Sequence, residues 1–423
     1  MRLMVSETIS VKKSRLQGRI TLSGAKNSAL RLLAASLLTD EDIFIDNFPL
    51  GIIDAQIHIK MLERLGKVCI SGKNRISISS GEKLQDVLYW EGQSIRNTLL
   101  IFGALLARVG RARVPLPGGD TIGNRKYDLH HMLLEKLGAR VWEEDGYLFG
   151  EAKNGLEGTN ILLPIRSTGA TENAIIAGCL AQGTTIVWNP HIRPEILDLI
   201  AYLCKMGAKI EVRGNESIRI QGVDKLNGAN HTVIPDNMEA LTYFIASVIT
   251  GGDVEIENFP FDHLEVPLIH LRESGAKFYR GENSMIVRGG ECYPVEISTG
   301  PYPGINSDMQ PLFAVYGLCA KGQSRITDLR FPDRFGYAEE LGKMGAEMKV
   351  DRNILIINGG KKLKGDHVRA RDIRCGAALL LAGLAAEGET RISNFEQVQR
   401  GYEDIVGKFG AVGAHIKNPP LDN

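Results

Sequence analysis

The residues with the clearest capacity for chemistry lie in one stretch, Arg113-Val-Pro-Leu-Pro-Gly-Gly-Asp-Thr-Ile-Gly-Asn-Arg-Lys-Tyr-Asp-Leu-His130. Two prolines stop any helix, and glycines follow that leave the backbone free to turn. The stretch carries an acid at its tip, Asp120, then a cation, Arg125, and a second acid, Asp128. An ionisable group flanked by glycine can swing onto a bound substrate and be buried there, which is how a loop delivers a proton.

Other polar residues recur at the starts of apolar segments: Lys26-Asn27, Arg96, Ser167-Thr168-Gly169, Asp236, Asp308 and Arg371-Asp372-Ile373-Arg374. Each alone reads as a helix cap or a solvated charge. Taken together they predict a ring of polar groups at helix N-termini, where free N–H groups and the helix dipole favour anions. With Arg125, Arg334 and Arg400 added, cations outnumber acids. The set predicts a cleft between two lobes that takes a small polyanion bearing phosphate and carboxylate.

The elements that must position these residues follow a repeat. A leucine-rich helix end, a glycine and a strand recur at Gly66, Gly138, Gly207, Gly275, Gly345 and Gly413, spaced by 72, 69, 68, 70 and 68 residues by subtraction. Upstream of each lies an apolar, small-residue segment such as NSALRLLAASLL or RCGAALLLAGLAA, then a strand, then Asn or Pro. Those segments are apolar nearly all round and predict buried helices; the second helix of each unit, as at 55–65, has a one-sided stripe. The glycine after it suits a helix C-terminus that turns through positive φ. A unit of about 70 residues cannot cover an all-round apolar helix by itself, so three units should share one core and six should make two similar lobes. The junction falls at 228–235.

Composition restricts the classes of function. The 423 residues are 43% hydrophobic and 24% charged, and fifty basic residues balance fifty acidic ones, so any anion site is local and neither a nucleic-acid nor a membrane partner is expected. The six cysteines (Cys69, Cys179, Cys204, Cys292, Cys319, Cys375) show no CxxC spacing and read as reduced core thiols, which with a polar start lacking a signal-peptide pattern points to the cytoplasm. There is no GxxxxGK[ST], no GxGxxG after a strand, no metal-ligand histidine spacing and no Gly-x-Ser-x-Gly. Kinases, dehydrogenases, metalloenzymes and serine hydrolases are disfavoured.

The motifs SGAKNSAL (23–30), PGGDTIGNRKYDLH (117–130), STGATEN (167–173), SDMQ (307–310), PDRF (332–335) and QRGYED (399–404) resemble the UDP-N-acetylglucosamine 1-carboxyvinyltransferase family of enolpyruvyltransferases over essentially the whole chain. The sister family of 5-enolpyruvylshikimate-3-phosphate synthases shares the repeat, but its lysine-serine-histidine-arginine helix start is absent.

The resemblance implies an α/β fold of two lobes, each an inside-out α/β barrel of three units. Residues 1–22 join 235–423 in one lobe, and 23–234 form the other. It implies closure on substrate binding, no metal and no organic cofactor. The implied reaction adds the sugar 3′-hydroxyl of UDP-N-acetylglucosamine to C2 of phosphoenolpyruvate through a tetrahedral phosphate ketal, then expels phosphate, a step in peptidoglycan precursor synthesis. Lys26, Arg125 and Arg400 match phosphoenolpyruvate ligands, with Arg330, Arg334 and Arg374 further candidates. Asp120 matches the proton donor to C3, and Asp308 the acid that takes the hydroxyl proton. Asn27, Arg96, Arg125, Lys126, Tyr127, Asp128, Leu129, Arg166, Ser167, Thr168, Gly169 and Asp308 match positions that hold the sugar nucleotide.

The sequence departs from the family pattern in places. The loop tip is Asp120 where the commonest form has cysteine, so alkylation by fosfomycin is not expected. An aspartic acid, of ordinary pKa about 3.9, needs burial or a nearby Asp308 to hold a proton at neutral pH. The loop 50–53, ending at Ile53, lacks the family lysine. Ile165 stands for a lysine (with Arg166 adjoining), Asn237 for an arginine, Gln397 for a histidine and Lys126 for a proline. Several of these lie around the sugar nucleotide. They leave open a paralogue acting on another nucleotide or UDP-sugar, or a catalytically silent binding relative.

Overall fold

The computed structural model describes residues 7–81, 83–119 and 126–417. The chain divides into two compact units, one containing residues up to Ser23 and from Pro235 onward, the other built from Gly24–Gly119 and Arg125–Ile234.

Each unit repeats one motif three times. A buried helix (Lys26–Ala35, Thr98–Val109 and Thr168–Gly178 in the second unit; Asn237–Ile249, Gln310–Cys319 and Ile373–Ala385 in the first) leads to a strand. An outer helix and, in five repeats, a β-hairpin follow. The buried helices are rich in Ala, Gly and Leu because they are covered on every side, and most of their residues are inaccessible to solvent. Close approach demands the small residues: a Cβ on Gly103 would lie 1.8 Å from the Asn173 side-chain oxygen of the neighbouring buried helix. The glycine that ends each outer helix, from Gly66 to Gly413, has positive φ in all six repeats, as the C-terminal turn requires.

The hairpins are antiparallel, and five of the six sheets gain one parallel edge strand. Asn160–Leu162, Glu296–Ser298 and His367–Arg369 play this part beside Thr184–Trp188, Gln323–Thr327 and Glu389–Ser393. At the two crossings between units the edge strands are exchanged. Gln17–Thr21, which leads into the second unit, pairs with Asp253–Glu257 of the first. Ala229–Thr232, which leads back, pairs with Ile43–Asp46 of the second. The N-terminal strand Ile9–Lys12 lies between Glu389–Ser393 and His415–Lys417, antiparallel to both, and supplies the return strand that the sixth repeat lacks.

The sixth repeat's missing hairpin strand is one departure from the uniform unit expected from sequence; the second repeat is another. Among the described residues, the second repeat has no leading strand, only a single bridge from Val87 to Arg113, so its sheet has three strands. Nor are all cysteines core thiols: Cys204 is exposed, on the solvent side of the outer helix Pro194–Lys205, and Cys69 and Cys319 are half-buried. All six are free. Among the described residues no helix is long and apolar enough to cross a membrane, and no group of His, Cys, Asp or Glu is arranged to hold a metal ion.

Candidate active site

Asp120 and Arg125, the tip acid and the loop cation, lie outside the described residues. The other residues singled out from sequence fall into two groups, one in each unit.

In the unit that holds Pro235 onward, Asp308 sits just before the helix Gln310–Cys319, half-buried between two buried guanidinium groups. Arg334 Nη1 is 2.6 Å from one carboxylate oxygen and Arg374 Nη2 is 3.6 Å from the other. The backbone N–H of Asp308 donates to Asn306 Oδ1 at 2.8 Å. Asp328, which the sequence did not single out, is the hub beneath. It accepts from Ser307 Oγ at 2.6 Å, Thr299 Oγ1 at 2.9 Å, and the backbone N–H groups of Arg330 and Phe331 at 2.8 Å. Asp328 thereby ties the turn carrying Asp308 to the loop carrying Arg334. Gln310 completes the tie by donating to the carbonyl of Arg334 at 3.0 Å.

Burial works against the charge of Arg374, but Tyr402, Asp308 and Asp236 outweigh it and raise its pKa further. Arg334 is raised for the same reason, with Asp308 and Asp372 overcoming burial. Arg334 Nε and Arg374 Nη1 are buried and find no acceptor. A buried donor without a partner costs roughly 1–3 kcal/mol, so two beside one acid indicate a place where an anion completes the set. Arg400 is buried and donates to Gln397 Oε1 at 2.9 Å, at the position where the family pattern has histidine. Arg330 is exposed. Asp236 and Asp372 prove to be helix caps, each accepting from two backbone N–H groups at 2.8–3.0 Å.

In the unit Gly24–Ile234, Lys26 is the first residue of its helix and is ion-paired with Asp54 at 2.7 Å. Gly24 before it is required, since a Cβ there would lie 1.9 Å from the carbonyl oxygen of Asn47. Asn27 is half-buried on the same turn. Arg96 donates to the carbonyl of Lys126 at 2.8 Å and so holds the end of the loop, where Lys126 and Asp128 are exposed and Tyr127 and Leu129 half-buried. Ser167 caps the helix Thr168–Gly178, accepting from the Ala170 N–H at 3.4 Å. Thr168 Oγ1 is 2.9 Å from His191 Nδ1, and Arg166 Nε donates to Asn189 Oδ1 at 3.2 Å.

Gly169 packs against His130, whose other nitrogen is 3.0 Å from the Asn173 amide. Burial, then Arg96 and His131, pull the His130 pKa down to about 3, so it is a neutral spacer between helices. The same unit buries two further ion pairs, Arg31–Glu172 at 2.9 Å and Arg193–Glu195 at 2.7 Å, and a chain from Ser28 through Asp198 to His231.

Residues 11–409 match the family described as EPSP synthase (3-phosphoshikimate 1-carboxyvinyltransferase). A UDP-N-acetylglucosamine 1-carboxyvinyltransferase of Finegoldia magna is 41% identical over 423 residues, covering 99% of this chain and 100% of that one. One from a Caulobacter species is 40% identical over 415 residues, covering 96% and 95%. Among solved structures, the enolpyruvyl transferase NikO from Streptomyces tendae matches with a TM-score of 0.88 at 25% identity, over 97% of this chain and 98% of that one. EPSP synthase from Acinetobacter baumannii shares the fold, with a TM-score of 0.75 at 20% identity over 97% and 99%. The chain belongs to the EPSP synthase family of enolpyruvyltransferases and, within it, to the UDP-N-acetylglucosamine 1-carboxyvinyltransferases.

Proposed function

We infer that this transferase moves the enolpyruvyl group of phosphoenolpyruvate to the 3′-hydroxyl of UDP-N-acetylglucosamine and releases phosphate, supplying a peptidoglycan precursor. The observation that carries the reading is the Asp308 constellation: an acid half open to solvent, flanked by Arg334 and Arg374, each with a buried N–H lacking an acceptor. An acid that takes a hydroxyl proton belongs beside cations that hold the phosphate and carboxylate of the other substrate.

In the assignment we favour, Asp308 removes the proton of the sugar hydroxyl as its oxygen bonds to C2. Asp120 delivers a proton to C3. Arg334, Arg374, Arg400, Lys26 and Arg125 hold phosphoenolpyruvate, and Arg330 adds positive charge nearby. The intermediate then breaks its C2–O bond to phosphate and C3 gives back its proton, re-forming the C2–C3 double bond and leaving the sugar as its enol ether. Asn27, Arg96, Lys126, Tyr127, Asp128, Leu129, Arg166, Ser167, Thr168 and Gly169 are assigned to the sugar nucleotide.

The test is phosphate release from phosphoenolpyruvate against a panel of UDP-sugars and nucleotides. Release with UDP-N-acetylglucosamine is expected. Release with a different acceptor only would move the protein to a paralogous pathway, and release with none would leave a silent relative. Fosfomycin at a concentration that inactivates a cysteine form should leave the wild type active, and Asp120→Cys should become sensitive. Time-dependent loss of wild-type activity would contradict the role given to Asp120.

A further inference from the structure

Lys26 has a partner that the sequence did not reveal. Asp54 lies in the first turn of the outer helix Ile53–Arg64, directly after the loop 50–53 that lacks the family lysine. That helix packs against Lys26–Ala35. The Asp54 carboxylate and the Lys26 ammonium meet at 2.7 Å with side chains only 6% and 10% exposed. A carboxylate in a first helical turn is favoured by the helix dipole, so Asp54 is a fixed anion. The neighbouring charges are matched elsewhere: Arg31 faces Glu172 and Arg193 faces Glu195.

One turn beyond Asp54, His58 is wholly buried and neither ring nitrogen has a hydrogen-bond partner. Burial, aided by Arg31 and opposed by Asp54, holds its pKa down to about 3, so it stays neutral and brings no competing charge to the pair.

We propose that Asp54 is a positioning residue for phosphoenolpyruvate binding, which holds the Lys26 side chain in place before the substrate arrives. A lysine side chain is long and flexible, and much of its affinity for phosphate is lost in ordering it. A short acid on a rigid helix removes that freedom in advance. Burial of an ammonium also disfavours its charge, and a carboxylate in contact offsets that. The proposal rests on the assignment of Lys26 to phosphoenolpyruvate.

The test compares Asp54→Asn and Asp54→Glu with the wild-type full chain, reading KM for both substrates and the Kd of radiolabelled phosphoenolpyruvate by equilibrium dialysis. Asp54→Asn should raise KM and Kd for phosphoenolpyruvate ten- to a hundredfold, with KM for UDP-N-acetylglucosamine within twofold. Asp54→Glu keeps the charge but displaces it by one methylene; it should fold normally and raise the same constants three- to tenfold. Should the Asn variant fail to fold, the Glu variant carries the test. Unchanged phosphoenolpyruvate constants in a folded variant, or equal rises for both substrates, would overturn the proposal. Dialysis needs no acceptor, so a wrong acceptor would show only in the turnover assay and leave the Asp54 result standing.

Discussion

The two units are three copies each of the same repeat, yet they treat buried charge differently. In the unit Gly24–Ile234 the cations Lys26, Arg31 and Arg193, with side chains 10–14% exposed, each meet a carboxylate, Asp54, Glu172 and Glu195, at 2.7–2.9 Å. In the other, Arg334 and Arg374 share the single carboxylate of Asp308 and retain unpaired N–H groups. One scaffold therefore supports both closely matched ion pairs and, around Asp308, a place short of negative charge. The apolar helices fix where side chains can point; the placing of single acids decides whether a cation is structural or available to a ligand.

The sharpest way to break this contrast is to remove the shared acid. Asp308→Asn should lower kcat by at least about a hundredfold in a steady-state phosphate-release assay. Because the arginines remain, KM for phosphoenolpyruvate should not rise; a kcat within threefold of wild type would end its role as proton acceptor.

Next is the balanced side. Arg31→Met strands Glu172 in the interior and should cost about 3 kcal/mol or more in denaturant unfolding near neutral pH. Burial, only partly offset by Arg31, already pushes the Glu172 pKa up, so the stranded acid can escape by taking a proton. A raised carboxylate favours the folded state at low pH and loses that advantage as pH rises, so the penalty should be larger at pH 8 than at pH 5. Arg31→Met with Glu172→Leu should recover most of the loss.

A smaller effect concerns His58. Unfolded, it binds a proton below about pH 6.5; folded, it does not until about pH 3. Its contribution to stability is complete above pH 6.5 and declines as pH falls towards 3, by about 2 kcal/mol at pH 5. His58→Leu should leave Tm at pH 7.5 unchanged or higher, and should lessen the fall in Tm between pH 7.5 and pH 5. The smallest effect belongs to the exposed pair Lys12–Glu389 at 3.4 Å, where Lys12→Ala should cost under about 1 kcal/mol.

Much of the architecture was legible because it repeats. The even recurrence of Gly66, Gly138, Gly207, Gly275, Gly345 and Gly413 exposed a period, and a turn needing positive φ explains why glycine stands at every one. The all-round apolar segments could only be buried helices. Pairings between distant segments were not legible. Nothing in GAKN points to Asp54 on another helix, and Asp328, followed by an ordinary Leu-Arg-Phe, gives no sign that it gathers Thr299, Ser307 and two backbone N–H groups. Helix-start residues were a sound place to look, but position alone could not separate the caps Asp236 and Asp372 from Asp308, whose carboxylate faces guanidinium groups. The missing leading strand of the second repeat also escaped, because the even glycine period continues through that repeat unchanged.

The exchanged edge strands bear on how the protein is made. On a ribosome the strands Ile9–Lys12 and Gln17–Thr21 emerge long before their partners, Asp253–Glu257, Glu389–Ser393 and His415–Lys417. The stretch Gly24–Ile234, by contrast, has its last edge strand once Thr232 has been added. A nascent chain thus carries one unit ready to close and, ahead of it, a waiting ribbon whose Ile9, Val11 and Ile20 have nothing to cover them. That ribbon is where a chaperone would be most useful, and where two half-made copies would most readily stick together.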